Sequence, residues 1–192
     1  MNNYFILHGS FGSPFGNWFS WLYNEIEKTK PKEIDESICY VPHFPTGKDK
    51  QNFDNWEAVF ESYLKAGLLN ENSIIFAHSI APIFVCKFLI KHRIKVKRLV
   101  FVCGFNNYFI DGADNYNYVN ETMFCKNLEK IKNLCNDIVC FYSDNDPYVS
   151  FEEEDNFAKL VANRKIIVEN GGHLNAESGF DKFPELLKFI GK

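Results

Sequence analysis

Six short apolar runs, each followed by a segment with helical spacing, constrain the fold of this chain more than any other feature. The runs cover residues 4–7, 37–41, 74–76, 98–103, 138–142 and 165–168. Most of them are apolar at nearly every position, which is typical of strands buried on both faces of a parallel sheet. Because helical segments alternate with the runs, the pattern predicts an α/β fold with helices on both faces of a six-stranded parallel sheet.

The helical segments are predicted from apolar residues spaced three and four positions apart. They cover about 17–28, 53–66, 80–92, 121–134, 151–162 and 180–190, and Asn52 is placed to cap the second of them. Residues 105–120 have no such periodicity and are predicted to form a long loop. We find no internal repeat and no break in composition, and a length of 192 residues suits one domain, so residues 1–192 are predicted to form a single domain.

Composition and charge exclude several classes of function. The chain is 46% hydrophobic and carries a net charge of −4 with no cluster of Lys and Arg, which argues against a nucleic-acid partner. No basic leader and no apolar run near the ~20 residues of a membrane span is present, so we expect no membrane span and a cytoplasmic location. The six cysteines form no C-x-x-C pair and are expected to be reduced, buried thiols rather than metal ligands.

Ser79 lies where the third apolar run breaks into a predicted helix. A strand, a serine and a helix in this order are typical of a nucleophile elbow, a strained turn with the pattern G-x-S-x-G. Ala77 and Ala81 stand where that pattern has glycines, and both are still small enough to let the helix approach the strand. A common alternative is an ordinary turn in which Ser79 caps the helix.

A serine hydroxyl needs a base within hydrogen-bond reach, and the base needs an orienting group. Asp144 and Asp146 follow the fifth run, and His173 follows the sixth. The carboxyl ends of parallel strands share one edge of the sheet, so these side chains are expected to meet Ser79 there. We predict Ser79 as nucleophile, His173 as base and Asp146 as the orienting acid, with Asp144 competing for that role. Turn formation explains each aspartate equally well when it is taken alone.

The glycine-rich loop after the first run supplies a candidate oxyanion hole. Its expected donors are the backbone N–H of Ile80 and that of Ser10 or Phe11. A plain turn between strand and helix would use the same glycines. His8 and His78 are expected to pack rather than to react. Aromatic residues near the strand ends are predicted to line an apolar acyl pocket, with Trp18, Phe105, Tyr108 and Tyr148 as the candidates.

The segments His8-Gly9, Ala77–Ser79, Asp144–Pro147 and Gly171–Asn175 together resemble a known family. It comprises the small α/β-hydrolase-fold serine hydrolases related to the retinoblastoma-binding serine hydrolase and to bacterial YdeN. The resemblance spans nearly the whole chain. It implies a compact α/β-hydrolase without a large lid, an all-parallel sheet of order 2-1-3-4-5-6, and hydrolytic activity.

The main hypothesis is therefore a serine hydrolase that cleaves a small ester, thioester or amide through an acyl-enzyme. It would act on a small-molecule acyl substrate and need no cofactor and no metal. The alternative is a catalytically weak or inactive binding protein on the same scaffold, with a protein partner. A third hypothesis gives the reactive role to Cys103 at the end of the fourth run. The residues leave the natural substrate and the oligomeric state open.

Overall fold

The computed structural model describes residues 2–29, 37–107 and 114–191, and a six-stranded sheet lies at its centre. The strands are β1 (Tyr4–Leu7), β2 (Cys39–Tyr40), β3 (Ile74–His78), β4 (Arg98–Val102), β5 (Ile138–Ser143) and β6 (Arg164–Val168). They are ordered β2-β1-β3-β4-β5-β6, and every neighbouring pair is parallel. The predicted α/β architecture and strand order are confirmed.

The helices in the described part of the chain are α1 (Phe19–Thr29), α2 (Phe53–Lys65), α3 (Ala81–His92), α4 (Asp114–Asn120) and α5 (Phe151–Val161). Short 3₁₀ helices cover Glu121–Met123, Leu128–Asn133, Ala176–Ser178 and Pro184–Phe189. Asn52 caps α2 as predicted, because its Oδ1 accepts a hydrogen bond from the N–H of Asn55 at 2.9 Å. Within the described residues, no helix has the length and apolar character needed to cross a bilayer.

Three predicted segments were wrong. Residues 121–134 form two separate 3₁₀ helices, because Asn127 between them adopts a left-handed conformation with φ of 58°. The predicted final helix is a 3₁₀ helix that begins at Pro184. A spacing of three also places apolar side chains on one face of a 3₁₀ helix, so periodicity alone could not separate the two forms. Part of the predicted long loop is helical, since α4 occupies residues 114–120.

Alternate residues along the strands face two separate apolar cores, as the two-residue period of a strand requires. Phe5, Ile75 and Phe101 face the core that is shared with α2, α3 and α5. Ile6 and Phe76 face the opposite core, which is built with α1 and the 3₁₀ helix 184–189. Both faces of the sheet are therefore covered, and the free carboxyl edge of the strands is left to carry the polar loops.

Candidate active site

Ser79 lies in a sharp turn between β3 and α3. Its φ of 63° falls in the left-handed region, which a residue with a β-carbon rarely adopts. The Ser79 N–H donates to the carbonyl oxygen of Val102 at 2.9 Å, which ties the turn to β4. Ala77 and Ala81 are fully buried in the core on either side. The strained turn is thus formed with alanines at both positions where the elbow pattern has glycine.

Gly9, in the loop after β1, faces the nucleophile candidate. A β-carbon at Gly9 would lie 2.6 Å from Ser79 Cβ and 3.2 Å from Ser79 Oγ. These distances are too short, so only glycine fits without a backbone shift. Gly9 belongs to the predicted oxyanion loop, but no local sequence signal at Gly9 or Ser79 indicates this close approach.

The structure brings Ser79, His173 and Asp146 together. Ser79 Oγ lies 3.0 Å from His173 Nε2, and His173 Nδ1 lies 2.5 Å from Asp146 Oδ2. The other oxygen of Asp146 accepts from the N–H groups of Tyr148 at 2.8 Å and Val149 at 3.1 Å. Burial acts to raise the pKa of Asp146, but His173 and the two backbone donors outweigh it, and the pKa falls below its ordinary value. An ionised Asp146 accepts a hydrogen bond from Nδ1–H, which leaves Nε2 without a proton and able to accept a hydrogen bond from the serine hydroxyl.

The loop after β5 fixes the loop that carries His173. The side chains of Ser143, Asp144 and Asn145 accept hydrogen bonds from the backbone N–H groups of residues 171, 170 and 172, at 2.9, 2.7 and 2.7 Å respectively. Asp144 is therefore engaged with backbone and lies outside the series of hydrogen bonds to Ser79. Polar residues at a strand end signal a loop, but the sequence could not show which amides they hold.

His78 is buried beside His173 and was expected only to pack. Burial lowers the pKa of His78 to about 3, so its ring is neutral. Its Nε2 lies 2.9 Å from the carbonyl oxygen of His173, to which a neutral Nε2–H donates. The residue before the nucleophile candidate thus holds the main chain of the base candidate, a role that sequence reasoning missed.

His8 ties the first loop to the chain after β2. Burial lowers the pKa of His8 to about 4, so this ring is neutral as well. Its Nδ1 lies 2.9 Å from the carbonyl oxygen of Gly9, and its Nε2 accepts from the N–H of Phe44 at 3.1 Å. Both nitrogens are used within the protein, which fits the expected structural role.

The structure distinguishes between the two candidate oxyanion donors of the first loop. The N–H of Phe11 donates to Gln51 Oε1 at 2.8 Å, so Phe11 is already engaged and its predicted donor role is wrong. The hydroxyl of Ser10 donates to Asn120 Oδ1, which Gln51 Nε2 also contacts at 3.2 Å. Gln51 and Asn120, two buried amides far apart in sequence, therefore anchor this loop. The N–H groups of Ser10 and Ile80 stay as predicted donors.

A cavity of about 340 Å³ opens beside Ser79 and His173. Tyr148 lines it, as predicted, together with Tyr116 from α4. The lining is mixed rather than apolar, because serine, asparagine and glutamate side chains contribute to it, among them Ser10, Ser13, Asn17, Asn175 and Glu177.

Two of the predicted pocket residues do not reach this cavity. Trp18 is fully buried and its Nε1 donates to the carbonyl oxygen of Leu174 at 3.1 Å, so its assignment to the pocket is wrong. Phe105 is also wrong, since it is fully buried in the core with α3 and α5. An aromatic side chain near a strand end can pack under the loops as well as line a pocket, and burial decided between the two. Tyr108 lies outside the described residues.

Cys103 directly follows β4 and lies among the same buried groups. The Sγ of Cys103, a carboxylate oxygen of Asp146 and a ring nitrogen of His173 all lie within 4.8 Å of one another. The Asp146–His173 hydrogen bond already occupies two of these groups, and burial raises the pKa of the Cys103 thiol well above its ordinary value. A protonated thiol is a poor metal ligand and a poor nucleophile, so the cluster is better described as hydrogen-bonded than as a metal centre.

Comparisons with known proteins bear on the family and the fold of the chain. A protein-family model described as "Serine hydrolase" matches residues 4–192. No curated protein sequence matches the chain. The crystal structure of the ydeN gene product from B. subtilis is similar, with a TM-score of 0.81 at 20% identity, covering 99% of this chain and 97% of that one. Est1E from Butyrivibrio proteoclasticus, with ferulic acid bound, gives a TM-score of 0.67 at 13% identity, covering 100% and 90%. At such identities the two structures establish a common fold.

Proposed function

The chain belongs to the serine hydrolase family, and we propose that it cleaves a small carboxylic ester, thioester or amide with Ser79 as nucleophile, His173 as general base and acid, and Asp146 as orienting carboxylate. The observation that carries the proposal is the unbroken series of hydrogen bonds from Ser79 Oγ through His173 to Asp146. Such a series lets a neutral hydroxyl lose its proton as it attacks.

The reaction follows from this series in two halves. Ser79 Oγ attacks the acyl carbon while His173 Nε2 takes the hydroxyl proton, and Asp146 stabilises the resulting imidazolium. His173 then returns the proton to the leaving alcohol, thiol or amine, and an acyl-enzyme is left. Water, activated by His173, attacks the acyl carbon and releases the acid and Ser79. The backbone N–H groups of Ile80 and Ser10 are the proposed donors to the developing oxyanion.

The alternative of an inactive binding protein loses its main support. That support would be a displaced Ser79 hydroxyl, which Ala77 and Ala81 would cause if alanines in place of glycines blocked the strained turn. Ser79 has the left-handed φ of 63° that an elbow requires, and its Oγ lies within hydrogen-bond distance of His173. The cysteine hypothesis is weaker still, because burial raises the pKa of the Cys103 thiol.

Fluorophosphonate labelling tests the proposal directly, since the probe reacts only with an activated serine. We expect the wild-type protein to be labelled, and both Ser79→Ala and His173→Ala to lose labelling. Turnover of p-nitrophenyl acetate should fall on the order of 10⁴-fold or more in either variant. Ser62→Ala, on the exposed surface of α2, is the matched control and should behave as wild type. A folded wild-type protein that takes no probe would exclude the proposed function and favour the binding protein.

A further inference from the structure

Glu154 is a buried acid beside the site that the proposed mechanism does not use. It lies in the first turn of α5 and is 1% exposed, whereas Glu152 on the same turn is exposed. As a carboxylate, Glu154 has no hydrogen bond of normal geometry to either oxygen among the described residues. The Cys103 thiol and the backbone of Ser143 lie near enough to act to lower its pKa, but burial and Asp146 outweigh them. A buried carboxylate without a donor is strongly unfavourable, whereas a carboxylic acid carries a donor of its own. The protonated form is therefore the one that this position accommodates.

The groups that face Glu154 come from the end of β4, from β5 and from the loop after β5. They are Cys103, Cys140, Tyr142 and Asp146. Burial and the neighbouring Asp146 carboxylate raise the pKa of Glu154 to about 9. Burial also raises the pKa of both thiols and of the phenol. The ordinary pKa values of thiols and phenols are already alkaline, and burial raises them further here. Glu154 therefore ionises at a lower pH than either thiol or the phenol.

Asp146 has room for one more donor. A carboxylate offers about four acceptor positions. Two backbone N–H groups occupy one oxygen of Asp146 and His173 Nδ1 occupies the other, so one position is left. Two donors are buried beside this position, the thiol of Cys103 and the O–H of Glu154. The O–H is the stronger donor of the two, because a thiol donates only weakly.

We propose that Glu154 is a positioning residue for hydrolysis: its carboxylic acid O–H donates a hydrogen bond to Asp146 and so holds that carboxylate against His173. The role rests on the proposed function. The neutral acid adds a hydrogen bond without adding charge. Loss of its proton would remove this bond and place a second negative charge beside Asp146, which would push the carboxylate away from His173.

The dependence of kcat/KM on pH tests this role, measured with p-nitrophenyl acetate on the wild type, Glu154→Gln and Glu154→Ala. The wild-type value should fall above about pH 9, as Glu154 ionises. The amide of the Glu154→Gln variant cannot ionise and can still donate, so this variant should stay within about threefold of wild type at neutral pH and lack the alkaline fall. Glu154→Ala removes the donor and should lose about 10- to 100-fold at all pH values. Glu152→Gln is the matched control with an unchanged profile.

Infrared difference spectra between the wild type and Glu154→Gln at neutral pH show whether the Glu154 carboxyl group is protonated. This measurement does not require turnover. We expect a carboxylic acid C=O band that is present in the wild type and absent from the variant. No such band, or an alkaline fall that is identical in the wild type and Glu154→Gln, would overturn the proposal. If Glu154→Ala fails to fold, the comparison with Glu154→Gln still decides. A wild type that hydrolyses no ester and takes no probe would instead show that the proposed function has failed.

Discussion

Glu154→Gln is predicted to change how the stability of the protein depends on pH. The folded protein holds the Glu154 proton up to a pKa of about 9, whereas the ordinary value of 4.5 applies to the unfolded chain. Between these values the folded state binds one proton more than the unfolded state. The contribution of Glu154 to the free energy of unfolding is therefore intact below the lower pKa and is lost as pH rises towards the upper one, by about 1.4 kcal/mol per pH unit. The variant lacks this loss.

The magnitude follows from the two pKa values. From about pH 5.5 to about pH 8.5 the wild type should lose about 4 kcal/mol of stability relative to Glu154→Gln. His8 and His78 also have pKa values in the folded protein below the ordinary histidine value of 6.5, so they add a pH dependence of their own up to about that pH. They contribute nearly equally to both proteins, so the difference isolates residue 154.

Urea denaturation of both proteins at three pH values across this window measures the difference. We expect the free energy of unfolding of Glu154→Gln minus that of the wild type to increase steadily with pH. Glu152→Gln, with an exposed carboxylate in the parent protein, should give a difference that does not change with pH. Parallel stability profiles for the wild type and Glu154→Gln would refute the reasoning, because they would mean that Glu154 is ionised in the folded protein.

Two further substitutions test the geometry around the cavity. Gly9→Ala should destabilise the protein by about 1–3 kcal/mol in urea denaturation and slow fluorophosphonate labelling, because the new β-carbon meets Ser79 Cβ at 2.6 Å. Gly16→Ala, whose nearest neighbour atom is 3.7 Å away, should show neither effect, and equal losses in the two variants would contradict the steric argument. Glu177 is the one acidic residue among the described residues that line the cavity. Glu177→Gln should therefore raise kcat/KM for a negatively charged ester about fivefold relative to a neutral ester, and a ratio equal to that of the remote Glu185→Gln control would show that this charge does not reach the substrate.

The strands could be predicted from sequence because their signal is local. Four or five consecutive apolar residues indicate a strand that is buried on both faces, and the six runs fall within or overlap the observed strands. The order of the strands followed from a resemblance rather than from these runs. Helical segments were harder to predict, because the spacing of apolar residues does not separate an α-helix from a 3₁₀ helix. Leu128 and Ile131 are buried three positions apart, a spacing that fits an α-helix and a 3₁₀ helix alike, and the chain forms a 3₁₀ helix there. Apolar periodicity therefore does not determine which of the two helical forms the chain adopts.

In the candidate site, too, some features could be predicted from the sequence and others could not. A serine, an aspartate and a histidine after separate strands could be found, because parallel strands bring their carboxyl ends to one edge. The contacts that hold them could not be found. The hydrogen bond from His78 to the main chain of His173 joins residues 95 positions apart. The burial of Glu154 near Asp146 requires α5 to pack on the sheet at one particular rotation. Such contacts depend on distances across the sheet, and no spacing along the chain encodes them.

The turn at Ser79 shows which positions around a nucleophile elbow require a small residue. The glycine pattern suggests that the positions two residues before and two after the serine carry the constraint, and this chain has alanine at both. Their methyl groups are buried in the core that β3 shares with α3, where they have room. The tight contact is elsewhere, because Gly9 of the neighbouring loop leaves no space for a β-carbon against Ser79. The loop after β1 can therefore approach the turn at Ser79 this closely only because residue 9 is glycine, and Ser10, whose N–H is a proposed oxyanion donor, lines the same cavity as the candidate nucleophile.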